Sequence, residues 1–198
     1  MNWVLLWSIL GLMLLLIILE SVGVPTTLAL NFKGDIKRET RWLAQYGQLA
    51  SALVAMAIVY QLETSAFAQQ LKGAHPPLKA AASILIASFG AAIAGRILKQ
   101  IVGRVRPGPE HAGKFLGPTW KHANFRESFP SNHTASAVAM SAVLAQLYPA
   151  AAPTFWSLAV ACALLRYVLD AHFPSDVVGG VALGYVGAIV TLQALHLS

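Results

Sequence analysis

The stretch from Trp3 to Val22, which reads WVLLWSILGLMLLLIILESV, is almost entirely apolar. A helix needs about 20 mostly apolar residues to cross the hydrocarbon core of a bilayer, so this stretch predicts a membrane span. The whole chain agrees, because 57% of its 198 residues are hydrophobic, only 11% are charged and the mean hydropathy is +0.62. Soluble domains carry roughly 25% charged residues. The sequence therefore predicts a membrane protein and excludes a disordered chain, a collagen-like repeat, a coiled coil and a soluble domain.

Five further apolar stretches follow the first. Only helices satisfy their own backbone hydrogen bonds in lipid, and the sequence has no alternating strand pattern. We therefore predict an all-α fold, a polytopic membrane bundle of six transmembrane helices in a single domain over residues 1–198. The six predicted spans are approximately 3–22, 42–61, 80–101, 131–148, 155–169 and 177–196. No basic segment precedes Trp3, so we do not expect the first span to be a cleaved signal peptide.

The cations of the chain are predicted to lie mainly on one side of the membrane. If six spans alternate in direction, residues 23–41, 102–130 and 170–176 share one side. Twelve of the fourteen Lys and Arg residues lie at or near that side, and only Lys72 and Lys79 belong to the other. The net charge of +6 does not indicate a nucleic-acid partner, because no nucleic-acid-binding motif accompanies it.

The first polar cluster is KQIVGRVRP, from Lys99 to Pro107. Lys99 and Arg106 are seven residues apart, about two helical turns, so a continuing helix places both cations on one face. Two cations on one face suit an anionic group such as phosphate. The alternative is a basic helix end that touches lipid headgroups or complements the helix dipole.

The second cluster is FPSNHT, from Phe129 to Thr134. Ser131 is predicted to be the N-cap of the following helix, whose first backbone N–H groups would then be free to bind an anion. His133, in the first turn, is a candidate general acid for a leaving oxygen. The alternative is a capped helix start with an interfacial histidine.

The third cluster is RYVLDAHFPSD, from Arg166 to Asp176. Asp176 lies four residues after His172, where a carboxylate would hold one ring nitrogen and leave the other free as a nucleophile. Arg166 adds a planar cation for phosphate oxygens. Two alternatives compete with this interpretation. One is a simple ion pair between Arg166 and Asp170, and the other is a metal site made of His133, His172 and Asp176.

The three clusters are predicted to lie on the same side of the membrane, and each supplies groups that the others lack. The cations would neutralise phosphate oxygens, the amides after Ser131 would bind the same phosphate, and the two histidines would act as acid and nucleophile. Three neighbouring cations would repel a metal ion, which weighs against the metal alternative. The combination favours a site for phosphoryl chemistry.

The set Lys-x6-Arg-Pro, Pro-Ser-x-His and Arg-x5-His-x3-Asp resembles the signature of the type-2 phosphatidic acid phosphatase family, which is related to vanadium haloperoxidases. The resemblance implies hydrolysis of a lipid phosphate through a phosphohistidine, without a metal or another cofactor. It implies that His172 attacks phosphorus, Asp176 orients His172, and His133 protonates the leaving group. The residues that it implies for binding the phosphoryl oxygens are Lys99, Arg106, Ser131, Asn132 and Arg166.

Two positions depart from the family pattern. Asn132 stands where the family commonly has glycine, and Leu165 stands where it often has serine. Asparagine keeps its backbone N–H and tolerates unusual dihedral angles, so we expect little effect at residue 132. Leu165 removes a hydroxyl contact to the phosphate, which bears on fine tuning and not on the reaction class.

We expect an integral-membrane phosphatase for a phosphomonoester or diphosphate lipid such as undecaprenyl diphosphate, phosphatidylglycerophosphate or phosphatidic acid. Two alternatives stay open: a phosphotransferase that uses the same phosphohistidine, and a non-enzymatic anion carrier or membrane scaffold. The expected partners are the lipid substrate and the bilayer, with no nucleic acid. Gly180 and Gly184 form a small-xxx-small pattern, which is typical either of a homodimer or of close packing inside the bundle.

The expected location is the cell inner membrane. Bacterial relatives of the family usually place the site on the periplasmic side, and we adopt that orientation as the prediction. The positive-inside rule favours the opposite one, since it assigns the basic face to the cytoplasm. Residues 108–128 are expected to form a loop over the site that shapes the choice of headgroup.

Overall fold

The computed structural model describes residues 2–28, 34–66, 75–108, 110–119, 124–169 and 172–197. The all-α prediction is confirmed, because the described ranges contain helices and a single isolated β-bridge between Arg104 and Phe115. The helices are α1 (Trp3–Ser21), α2 (Gly34–Leu43), α3 (Leu49–Thr64), α4 (Pro77–Val102), α5 (Asn132–Leu147), α6 (Ala152–Val168) and α7 (Pro174–Ala194). Short 3-10 turns occupy Ala44–Gly47, Asn124–Arg126 and Pro149–Ala151.

Four helical segments of the described chain are long and apolar enough to cross a membrane. They are α1, α4, α7 and the segment Pro149–Val168, which contains α6. A fifth span is reached if Arg38–Gly47 and Leu49–Thr64, which meet at an angle of 64°, count together as one broken span. The chain thus has four or five candidate spans, and the predicted number of six is not confirmed.

The second predicted span, 42–61, is not one continuous helix. The helix breaks at Gln48, whose backbone is extended with φ −97° and ψ 163°. The preceding residue is Gly47. It lies so close to α5 that a β-carbon on it would stand 1.9 Å from the carbonyl oxygen of His133. The close packing against the start of α5 thus coincides with the break. The hydropathy of residues 42–61 does not indicate this break in the helix.

The fourth predicted span, 131–148, corresponds to α5, which has 16 residues. At 1.5 Å per residue α5 is about 24 Å long, shorter than a hydrocarbon core of about 30 Å. It is instead the central helix of the bundle, with most of its residues buried, and it packs against α4, α6 and α7. Helix α3 packs against α4, and α1 packs against α7.

Small residues allow α7 to approach α5 closely. A β-carbon at Gly180 would stand 2.6 Å from the carbonyl oxygen of Ser131, and one at Gly184 would stand 2.3 Å from that of Ala135. Both glycines therefore serve packing inside the bundle, one of the two interpretations of their pattern. Dimerisation through them stays a prediction, to be checked by measuring the oligomeric state.

Residues 23–41, assigned from the sequence to a connecting loop, include most of α2. Ile36, Trp42 and Leu43 stand among its charged residues in the sequence, and Ile36 and Trp42 are exposed. An amphipathic helix of this kind suits the plane of a membrane interface. Hydropathy averaged over a long window does not detect it, because the helix is polar on average.

The segment that follows α4 folds back over the end of the bundle. Helix α4 is capped at its C-terminal end by Gly103, whose φ of +59° is left-handed and whose Cα faces the carbonyl oxygen of Gly117. A side chain at residue 103 would be strained there and would collide with that oxygen. Backbone hydrogen bonds from Val105 to Lys114 and from Leu116 to Gly103 then close a hairpin-like loop.

Candidate active site

The three polar clusters meet at one end of the bundle. The backbone N–H of Ser131 donates to the carbonyl oxygen of Asp176 at 2.9 Å, which joins the second cluster to the third. The ammonium of Lys99 donates to the backbone carbonyls of Glu127 and Ser128. These bonds join the end of α4 to the segment that precedes α5. The structure therefore brings together groups that are as many as 77 residues apart in the sequence.

His172 and Asp176 face each other in the interior of this site. The His172 side chain is 2% exposed and the Asp176 side chain is fully buried, with Nδ1 of His172 3.6 Å from Oδ2 of Asp176. This separation is longer than a hydrogen bond, and Nδ1 has no hydrogen-bond partner. Since Nδ1 faces the carboxylate, Nε2 is the ring nitrogen available to react.

Burial lowers the pKa of His172 to about 4. The carboxylate of Asp176 acts in the opposite direction, and the charges of Lys99 and Arg166 add to the lowering. The imidazole is therefore uncharged at neutral pH, the state in which a histidine has a lone pair to offer. The first turn of α7 supplies Asp176, and the loop just before it supplies His172.

The carboxylate of Asp176 is fixed by three donors. Its Oδ2 accepts hydrogen bonds from the Ser128 hydroxyl and, at 2.9 Å, from the backbone N–H of Phe173. Its Oδ1 accepts from Nη1 of Arg104 at 2.6 Å. With these partners the carboxylate cannot rotate freely, so it presents a fixed negative charge to His172.

Three cations of the predicted phosphate-binding set lie at this site, and two of them, Lys99 and Arg166, act electrostatically on His172. Lys99, Arg106 and Arg166 lie close enough to act electrostatically on one another. Arg166 is largely buried, and its Nε has no hydrogen-bond partner. Burial also lowers the pKa of Arg106, whose Nε donates to the backbone carbonyl of Asn124 at 2.8 Å. Mutually repelling cations that are buried or half-buried are suited to a multiply charged anion, which would relieve their repulsion.

Ser131 occupies the N-cap position of α5, as the sequence predicts, but its side chain makes no capping hydrogen bond. Its hydroxyl accepts from Thr134 at 3.1 Å. The Asn132 side chain turns towards α4 and donates to the carbonyl of Ala92 at 3.3 Å, against the open Cα of Gly95. The Asn132 side chain thus contacts α4, while the first backbone N–H groups of α5, which have no intrahelical partner, stay the predicted anion ligands.

His133 lies in the first turn of α5. Its Nε2 lies 3.1 Å from Nε2 of Gln48, at the break between α2 and α3. The charges of Arg166, Lys99 and Arg106 act on this imidazole. A cavity of about 250 Å³ adjoins it, lined by Gly47, Gln48, Leu49, Ser88, Phe89, Ala92, Asn132, His133 and Ser136.

Most of the chain matches a known protein family. A family model described as PAP2 superfamily matches residues 77–198, more than half of the chain. The chain belongs to the PAP2 superfamily. The match begins at α4 and contains all three polar clusters of this PAP2 protein.

Curated relatives of the PAP2 chain come from bacteria. A lipid A 1-phosphatase of Rhizobium etli is 40% identical over 44% of this chain and 38% of its own length, and one of Rhizobium johnstonii is 37% identical over 48% and 39%. A decaprenylphosphoryl-5-phosphoribose phosphatase of Mycolicibacterium smegmatis is 31% identical over 81% of this chain and 80% of its own. The chain thus aligns with about two fifths of each lipid A 1-phosphatase. No solved structure matches it significantly.

The sequence left two structural alternatives for the third cluster, a metal site and an ion pair. Among the described residues, no three His, Cys, Asp or Glu side chains form a group that could hold a metal ion, so His133 does not join His172 and Asp176 as a ligand set. The proposed ion pair of Arg166 involves Asp170, which lies outside the described residues, as do Trp120 and His122 of the loop.

Sequence reasoning missed four side chains that shape the PAP2 site: Glu20, Gln48, Arg104 and Ser128. Each contacts a group at least 48 residues away. Glu20 and Arg104 carried a usable signal, because ionisable residues in or beside an apolar span are functional candidates by default. Gln48 and Ser128 belong to no motif, so no comparable signal exists for them.

Proposed function

We propose that this PAP2 protein is an integral-membrane lipid-phosphate phosphatase that hydrolyses its substrate without a metal, through a phosphohistidine. The observation that carries the proposal is the uncharged, buried imidazole of His172, which faces Asp176 and lies in the field of Lys99 and Arg166. A nucleophile, its orienting carboxylate and cations for the phosphate are thus present together.

In the first step, Nε2 of His172 attacks phosphorus. An N–P bond forms while the P–O bond to the lipid breaks, and His133 transfers a proton to the departing lipid oxygen. The fixed charge of Asp176 stabilises the positive charge that develops on His172. Lys99, Arg106, Arg166 and the amides after Ser131 bind the other phosphoryl oxygens.

The second step releases the phosphate. A water molecule attacks phosphorus and gives a proton to His133, the N–P bond breaks, and the electron pair returns to Nε2 of His172. Inorganic phosphate leaves and both histidines return to their initial states. Burial and the neighbouring cations oppose the protonation of His133, and the negative charge of a bound phosphate offsets the effect of the cations. Substrate binding thereby favours the protonated form that a general acid needs.

The substrate is a phosphate attached to a long apolar chain. The cavity beside His133 is lined by residues of α3, α4 and α5 and adjoins the proposed general acid. We infer that it receives the first part of the lipid next to the scissile bond. Undecaprenyl diphosphate, phosphatidylglycerophosphate and phosphatidic acid are candidates, and the names of the relatives add a lipid A 1-phosphate and a polyprenyl-linked phosphoribose 5-phosphate.

The test measures phosphate release from these five lipids by purified protein in detergent with EDTA. We expect turnover of at least one lipid, inhibition by vanadate, and loss of activity in His172→Ala. The matched control is His75→Ala, at the opposite end of α4, which should keep wild-type turnover. Strict metal dependence, or full activity in His172→Ala, contradicts the proposal.

The same assay distinguishes the two alternative functions. A phosphotransferase would yield a phosphorylated product when a lipid or sugar acceptor is added, with less inorganic phosphate released. An anion carrier or scaffold would bind the lipids without turnover.

We propose in addition that the chain is a single domain of the inner membrane with its site at the periplasmic face.

A further inference from the structure

Arg104 is buried beside the catalytic pair and has two carboxylate partners. Its side chain is 1% exposed, its Nη1 lies 2.6 Å from Oδ1 of Asp176, and its Nη2 lies 2.7 Å from Oε2 of Glu20. The Glu20 side chain is also buried, 3% exposed, although it belongs to the apolar helix α1. One guanidinium thus joins a carboxylate of α1 to the carboxylate that faces His172.

The remaining surfaces of the Arg104 guanidinium are occupied as well. Its Nε donates to the carbonyl of Gly113 at 3.3 Å, and its Cζ lies 4.9 Å and 4.4 Å from the ring centres of Phe115 and Phe173. Aromatic rings on a guanidinium hold it by cation–π attraction. Arg104 therefore has no free edge for a substrate phosphate, unlike Arg166, and it can act on the reaction only through its partners.

Glu20 also holds the helix that carries Asp176. Its Oε1 accepts the backbone N–H of Ser175 at 3.1 Å, and its Oε2 accepts the Ser175 hydroxyl. Ser175 and Asp176 are adjacent in the first turn of α7. Glu20 thus fixes the turn through the backbone while Arg104 fixes the Asp176 carboxylate itself.

Breaking such a buried arrangement on one side leaves an uncompensated charge, whereas apolar residues of similar volume often stabilise a fold as well as buried ions do. A purely structural tie between α1 and α7 would not need three charged groups directly behind a reactive histidine. The charges are placed where they set the position and the field of Asp176.

We propose that Glu20 and Arg104 are positioning residues that hold the Asp176 carboxylate against His172 and set its negative field. The proposal rests on the function proposed above, in which His172 is the nucleophile. Glu20 and Arg104 do not touch the substrate. Their effect reaches the reaction through Asp176 alone.

The two residues should change the pH profile in opposite directions. The groups that act on His172 are Asp176, Lys99 and Arg166. The acid limb is the fall of kcat at low pH, where His172 becomes protonated. Arg104→Gln removes a cation that offsets Asp176, so this limb should move to higher pH. Glu20→Gln removes the carboxylate that shares Arg104, so the cation acts more fully on Asp176 and the acid limb should move to lower pH. A shift of roughly half a unit either way is expected.

The loss of kcat, compared with KM, also separates a positioning role from a role in substrate binding. A misplaced catalytic group costs about 10- to 100-fold in rate, so both variants should lose kcat by that factor. Because Lys99, Arg106 and Arg166 are untouched, KM and vanadate inhibition should stay within about threefold of the wild type. Arg104→Lys, which keeps the charge, should restore the wild-type position of the acid limb.

The controls come from a surface pair of the same chemistry. Arg38 and Glu39 form an exposed ion pair at 3.2 Å, so Arg38→Gln and Glu39→Gln should leave kcat and its pH profile unchanged. If Arg104→Gln does not fold, Glu20→Gln, which keeps the size and hydrogen-bonding shape of the side chain, and Arg104→Lys still test the proposal. Folding is verified by the thermal midpoint in detergent.

Acid limbs that stay in place or move in the same direction in the foldable variants overturn the positioning role. His172→Ala is assayed in parallel so that the two proposals can be told apart. If His172→Ala is inactive and the Glu20 and Arg104 variants equal the wild type, only the positioning role fails. If His172→Ala is fully active, the phosphohistidine mechanism fails, and the positioning role fails with it.

Discussion

Single residues of the site are held in unusual states by burial. His172 is uncharged although it faces a carboxylate, because the loss of water outweighs the attraction of Asp176. Arg166 and Lys99 carry like charges and repel each other at this site. A bound phosphate dianion would offset this repulsion.

The state of His172 predicts how activity depends on pH. Its pKa is lowered from 6.5 to about 4, so the reactive uncharged form predominates at neutral pH and is lost only as the pH falls through about 4. We expect kcat/KM to fall by about a tenth at pH 5 and by half near pH 4. The measurement is kcat/KM between pH 4 and pH 8.

Two controls belong to that measurement. Phosphomonoesters themselves titrate near pH 6, so two lipids whose phosphates have different pKa values separate the substrate's limb from that of the enzyme. Activity recovered after return to pH 7 shows that the protein stayed folded. An enzyme limb near pH 6.5 would mean that His172 is solvated and not buried.

The core of the site could be predicted from sequence, because Lys99, Arg106, His133, His172 and Asp176 lie in short motifs with fixed spacing. The structure brings these residues to one end of the bundle, and their catalytic roles stay predictions. The supporting residues could not be predicted in the same way. Arg104 meets its carboxylate partners across 72 and 84 residues, and no spacing rule relates positions so far apart.

At the scale of helices, the contact between α5 and α7 holds the second and third clusters together. Helix α5 carries His133 and α7 carries Asp176, and the glycines of α7 set the distance between the two helix axes. The long apolar helices α1, α4 and α7 were predictable from hydropathy alone. The break at Gln48 was not, because it accompanies a contact with His133, 85 residues away.

Gly184 tests that contact. A β-carbon there would stand 2.3 Å from the carbonyl oxygen of Ala135, so Gly184→Ala must push the helices apart. Overpacking of a core costs about 1–3 kcal/mol, and we expect a lower thermal midpoint in detergent. The matched control is Gly187→Ala on the same helix, whose β-carbon would meet its nearest neighbour at 3.5 Å, an ordinary contact.

Two outcomes would contradict this account of Gly184. Equal midpoints for Gly184→Ala and Gly187→Ala would show that the helices are not in close contact at this point. A change from dimer to monomer at an unchanged midpoint would place Gly184 in a homodimer interface instead.

For the whole molecule, the prediction to test is that the site faces the periplasmic side of the membrane. Lys114 lies on the exposed loop over the site, and Lys79 is exposed at the opposite end of α4. The cysteine already present, Cys162, is buried, so replacing it with alanine gives a background without thiols. Single cysteines at the two lysines therefore report on opposite sides.

We expect Lys114→Cys to react with a membrane-impermeant thiol reagent in intact cells with a permeable outer membrane. Lys79→Cys should react only after the inner membrane is disrupted. This result corresponds to a periplasmic site. The reverse pattern would place the site in the cytoplasm and would agree with the excess of cations at that face.

The ion pair between Glu20 and Arg104 has a consequence for attempts to reduce this protein to a minimal catalytic fragment. The family match begins at residue 77, and a fragment from there would keep every motif residue. It would nevertheless leave Arg104 and the first turn of α7 without the carboxylate that neutralises and caps them. Hybrids that exchange the N-terminal helix between relatives should therefore also transfer the residue that faces Glu20.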